Sequence, residues 1–141
     1  MIEQLHIALD PENGGSAVVN GRDFKTHITC QRLFAGATHT EFLLDGDMRN
    51  ETTVGLLQLP PHASTHVSYM RYKDYFMYAV VQSGSGILLA YHPGIDRVSE
   101  KIVDDVIIET PNHTPFLLAE PGGAFSIHTI EEGLKVAYAM V

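Results

Sequence analysis

The feature that most constrains this chain is its punctuation. Short apolar runs are broken by Gly, Pro and Asp clusters about every ten residues, a spacing that suits strands and leaves no room for long helices. Phe24, Thr26, Ile28 and Cys30 alternate with Lys25, His27, Thr29 and Gln31, a period of two that belongs to a strand. Further runs occupy residues 41–44, 53–59, 66–71, 75–82, 87–91, 98–108, 116–119, 125–130 and 135–141. Among the breaks between them are Asp45-Gly46-Asp47, Pro60-Pro61, His92-Pro93-Gly94 and Pro121-Gly122-Gly123. Ser83-Gly84-Ser85-Gly86 reads as a turn joining two strands. The pattern predicts an all-β sandwich or barrel with little helix. Residues 1–22 are expected to form an N-terminal arm with one edge strand near residues 17–19, and residues 23–141 a single barrel domain, since 141 residues suit one hydrophobic core.

Charge and cysteine usage then exclude several classes. Asp and Glu total 17 against 9 Lys and Arg, a formal net charge of -8, and no basic cluster occurs. Nucleic acids and anionic membrane surfaces both need basic patches, so neither is an expected partner. A single cysteine, Cys30, excludes an internal disulfide and a Cys-based zinc site. Residues 1–20 carry no basic segment followed by an apolar one, and no run approaches membrane-spanning length, so a cytoplasmic location is expected. The chemistry to be explained lies in 8 histidines.

Three segments carry a family resemblance. Leu59-Pro60-Pro61-His62-Ala63-Ser64-Thr65 resembles the start of the first cupin motif. Residues 75–86, ending Val80-Val81-Gln82-Ser83-Gly84-Ser85-Gly86, resemble the cupin strand that closes it, and residues 105–115 resemble the entry to the second motif. The resemblance implies a double-stranded β-helix, or jelly-roll barrel, and commonly a homodimer. In the family pattern the first motif supplies His-x-His and a Glu as metal ligands and the second supplies one more His. Here those positions fall on Ser68, Met70, Met77 and Phe116. Imidazole and carboxylate hold Fe, Zn, Mn or Ni; this replacement set does not. The resemblance therefore implies a cupin without the usual metal, its interior lined by Met70, Met77 and Phe116. Strand alternation adds Tyr72, Tyr75 and Leu118. Such a lining suits an apolar or aromatic small molecule.

The histidines supply reactivity. If Ser68 points inward, as the family's first ligand does, even spacing turns His66 inward too, with His62 at the rim. His113 enters the second motif at the same rim, and His128 shares a strand face with Ser126. A histidine near its ordinary pKa of about 6.5 exchanges protons at neutral pH. The expected catalytic set is His66 as base with His113 or Tyr72 as partner acid. The expected substrate-binding set is His62, Ser68, Met70, Tyr75, Met77, Phe116 and His128. Three functions follow: a metal-independent isomerase, cyclase or lyase; a non-catalytic ligand-binding or sensing cupin; or a metal-dependent dioxygenase or isomerase. In the last, a rearranged site draws on His66, His113 and His62, with His128 or Glu109, to hold Fe, Zn, Mn or Ni. Residues four apart on a strand are about 13 Å apart, so His62 and His66 do not share one ion without a bend. His6, His27, His39 and His92 read as surface residues.

Overall fold

The computed structural model describes residues 5–10, 12, 14–19, 22–34, 37–44, 53–65, 68–69, 75–91, 102–109 and 115–140. These form eleven strands and no helix. In chain order they are β1 (Leu5–Asp10), β2 (Gly14–Val19), β3 (Arg22–Phe34), β4 (Ala37–Leu44), β5 (Thr53–Leu59), β6 (Ser68–Tyr69), β7 (Met77–Tyr91), β8 (Ile102–Glu109), β9 (Phe116–Ala119), β10 (Ala124–His128) and β11 (Leu134–Met140). Every pairing is antiparallel.

Two sheets result, and β7 belongs to both. The first sheet runs β1-β2-β3-β4-β5-β11-β7-β9, using the part of β7 before Ser85. The second runs β8-β7-β10-β6, using the rest of β7. The expected turn at residues 83–86 is thus a corner inside one continuous strand, and the reason is local. Gly84 lies at φ +82°, in the left-handed region that a side chain disfavours, and a Cβ there would run into the Gly133 carbonyl. A Cβ on Gly86 would stand 2.8 Å from the His128 carbonyl oxygen. The β7–β11 register shifts between Lys135 and Val136, opposite this bend. Glycines and a bulge are what allow a strand to leave one sheet for the other.

The N-terminal segment also carries more structure than a single strand. β1 and β2 form a hairpin with Gly14 paired to Asp10, and β2 continues the ladder into β3. The hairpin folds over the outer face of the first sheet. Leu9 and Ala17 join Phe42, Val54, Leu56, Val80, Ala137 and Ala139 in one buried cluster. The Gln82 side chain fastens it: the Leu9 N–H donates to Gln82 Oε1 at 2.9 Å, and Gln82 Nε2 donates to the Leu9 carbonyl at 3.0 Å.

Between the sheets lies the main core. The first sheet contributes Leu57, Leu59, Ala79, Val81, Leu134, Val136 and Tyr138, and the second contributes Leu88, Phe125 and Ile127. The first sheet is therefore covered on both faces. That explains why Val54-Gly55-Leu56-Leu57 and Val136-Ala137-Tyr138-Ala139 are continuous apolar runs instead of alternating ones.

Candidate functional site at the barrel mouth

The inner face of the first sheet can be followed row by row. Cross-strand pairing aligns Glu41, Gly55, Tyr138, Ala79 and Phe116 in one row across five strands. A second row aligns His39, Leu57, Val136 and Val81. Met140 pairs with Met77 in a third. Leu57, Val136 and Val81 are buried, whereas His39, Glu41, Met77, Phe116 and Met140 are only half-buried. Burial on this face thus falls off toward the methionine row and toward β4, where the polar groups His39 and Glu41 stand.

Gly55 makes the arrangement possible. A Cβ at that position would overlap Tyr138 Cζ and Oη, so the ring occupies space that only a glycine leaves free. Tyr138 is 4% exposed and its ring lies tilted against His39, with centroids 5.7 Å apart. The Tyr138 hydroxyl and His39 Nε2 are 2.6 Å apart. Either Oη–H donates to the ring nitrogen or Nε2–H donates to the hydroxyl, according to the imidazole tautomer. A buried phenol against a half-buried imidazole is a unit that holds and passes a proton. Glu41 stands two residues from His39 on the same face.

The expected site residues separate into three groups. Tyr75, Met77 and Phe116 pack against the main core as partly buried side chains, and Leu118 is fully buried within it. His62 sits exposed in the turn after β5, at φ 55°, with its N–H donating to the Ile130 carbonyl at 2.9 Å. His128, expected in the pocket wall, faces the other way. Its strand neighbours Phe125 and Ile127 lie in the core, so alternation puts Ser126 and His128 on the outer face of the second sheet, where Ser126 Oγ and His128 Nε2 are 3.2 Å apart. The backbone of Ser68 pairs with Phe125. His66, Met70, Tyr72 and His113 lie outside the described residues.

His39 corrects the surface assignment. Residues 37–42 alternate Ala37, His39 and Glu41 with Thr38, Thr40 and Phe42, and only the strand's position in the sheet says which set faces in. Met140, Tyr138 and Gly55 were equally hidden within apolar runs. The available signal was a glycine inside an otherwise unbroken strand pattern, which marks a close approach.

Met77 and Phe116, at two of the family's ligand positions, present a thioether and a phenyl ring against the core and do not fit a divalent ion. Among the described residues no three His, Cys, Asp or Glu side chains gather around one point.

No protein-family model matches the chain, and no curated protein matches it in sequence. Solved structures do. The cupin domain of Cnp3 from Schizosaccharomyces pombe aligns with TM-score 0.56 and 11% identity, over 80% of this chain and 68% of that one. A predicted oxalate decarboxylase from Thermotoga maritima aligns with TM-score 0.54 and 14% identity, over 84% and 92%. CapF, a capsular polysaccharide assembling protein of Staphylococcus aureus, was solved with the inhibitor 3-isopropenyl-tropolone. That structure aligns with TM-score 0.60 and 11% identity, over 81% of this chain but 30% of its own length. The chain has the cupin fold.

Proposed function

We propose that this chain is a small-molecule-binding cupin whose barrel mouth performs metal-independent proton transfer, of the isomerase, cyclase or lyase type. The observation that carries the reading is the 2.6 Å contact between His39 and Tyr138 at the margin of the barrel interior. His39, half-buried, is the group that meets a ligand and takes or gives its proton. Tyr138, held in the space above Gly55, fixes the orientation of the imidazole and answers the proton change at Nε2. Tyr75, Met77, Phe116 and Met140 supply an apolar, adaptable lining for an aromatic or otherwise hydrophobic ligand. His66, Tyr72 and His113 remain candidates for the partner acid or base. A homodimer remains the expected assembly. The thioether of Met77 and the phenyl ring of Phe116 offer a divalent ion no suitable donor, so the proton transfer relies on the side chains alone.

The test begins with a thermal-shift screen of cyclic ketones that carry a C–H beside the carbonyl, with tropolone, benzoate and phenol as non-exchanging aromatic controls. Ligands that raise the melting temperature are then incubated with protein in D2O, and exchange of carbon-bound hydrogen is followed by mass spectrometry. Exchange catalysed by the wild type and lost in His39→Phe is the expected result. Full exchange in His39→Phe removes the proposal. Binding without any exchange leaves the second reading, a ligand-binding cupin without turnover, which the same apolar lining supports.

A further inference from the structure

The opposite face of the first sheet carries a separate feature. Thr38, Gln58, Lys135 and Ser83 form one continuous cross-strand row over β4, β5, β11 and β7. The next row on that face, Thr40, Leu56, Ala137 and Val80, is buried. The β1–β2 hairpin covers the sheet up to that row, and beyond it a cleft of about 540 Å³ opens over the polar row, walled by Leu59 and Pro60. The cleft is open to solvent on one side, so it suits a small polar molecule held by a few directed contacts.

Its chemistry is one-sided. Among the described residues the lining offers two hydroxyls, a side-chain amide and the Lys135 ammonium, and no Asp or Glu. In a chain of net charge -8, a cleft whose one described charge is a cation favours an anionic ligand. A second observation points to a missing acceptor. Gln58 Nε2 is shut off from solvent and has no hydrogen-bond partner among the described residues, although Gln58 borders the cleft. A desolvated donor without an acceptor is unfavourable. The terminal torsion of a glutamine is broad, so the orientation of that N–H is free to respond to a ligand oxygen beside it.

We propose that this cleft is a second binding site, distinct from the barrel mouth, for a small organic carboxylate. The carboxylate accepts from Lys135 Nζ and Gln58 Nε2, and the hydroxyls of Thr38 and Ser83 contact the rest of the molecule.

The test is a titration of nitrogen-15-labelled protein at constant ionic strength with citrate, glucuronate, inorganic phosphate and neutral glucose. Saturable amide shifts at Gln58, Ser83 and Lys135 with citrate or glucuronate, and none with glucose, are expected. Lys135→Met, at an exposed position, is expected to weaken binding about tenfold, and Gln58→Leu to weaken it as well. His39→Phe is expected to leave this binding unchanged, which separates failure here from failure at the barrel mouth. Unsaturable shifts, a response to phosphate alone, shifts centred on Met77 and Phe116, or undiminished affinity in Lys135→Met would each overturn the proposal.

Discussion

Replacing Gly55 by alanine tests the geometry of the barrel mouth through a single methyl group. Gly55 needs no positive φ, so the backbone accepts alanine there. On chain entropy alone the change would stabilise the protein by about 0.4–1 kcal/mol. The steric contribution opposes it. The new Cβ overlaps the Tyr138 ring, which is 4% exposed and held against His39. Overpacking of this kind costs about 1–3 kcal/mol. Displacing the ring also breaks its hydrogen bond to His39, which costs about 1 kcal/mol more. The steric and hydrogen-bond contributions win, leaving a net loss of about 1–3 kcal/mol. For 141 residues this lowers the melting temperature by about 3–10 °C. Urea denaturation of Gly55→Ala, Tyr138→Leu and the double variant measures the coupling directly. The double variant is expected to lose at least about 1 kcal/mol less than the sum of the singles, because leucine leaves no ring for the methyl to strike. Additive losses, or a Gly55→Ala protein as stable as the wild type, would refute the role assigned to the glycine.

Three other substitutions probe the frame around that site. Thr129→Val removes a buried hydroxyl that donates to the Pro60 carbonyl at 2.6 Å and accepts from the Ala63 N–H at 2.9 Å, and should cost about 2 kcal/mol in urea denaturation. Gln82→Leu removes both bonds to Leu9, and hydrogen exchange at the Leu9 amide should accelerate at least about tenfold while the core amides keep their protection. Gly84→Ala forces a side chain into a left-handed corner against the Gly133 carbonyl, and should cost about 3 kcal/mol or more by the same denaturation assay.

Much of the fold was legible because turn residues mark strand ends. The runs at 53–59 and 116–119 match β5 and β9 to the residue, and those at 125–130 and 135–141 match β10 and β11 within two residues. What escaped was any feature that depends on which strand sits beside which. Ser83-Gly84-Ser85-Gly86 has the composition of a turn, and it becomes a corner only because β10, β8 and β11 offer partners on both sides of it. His39 looks like a surface residue until β4 is placed beside β5 and its odd-numbered side is turned inward. The inward placement of Met77 and Phe116 was readable from a family pattern. The proton-handling pair was not, because its members are 99 residues apart in sequence.

The position of β11 has a consequence for how the chain acquires its shape. Leu134–Met140 is the last of the eleven strands to be synthesised, yet it lies between β5 and β7. Until it arrives, β5 and β7 each present an open edge with nothing to pair with, and the cavity between the sheets lacks Leu134, Val136 and Tyr138. Closure must therefore bring together segments about 75 residues apart, such as Leu59 and Leu134. Folding of this barrel is expected to be slow and to complete as a single late event, and the waiting edges are where a nascent chain would be captured by a chaperone or stick to its neighbour.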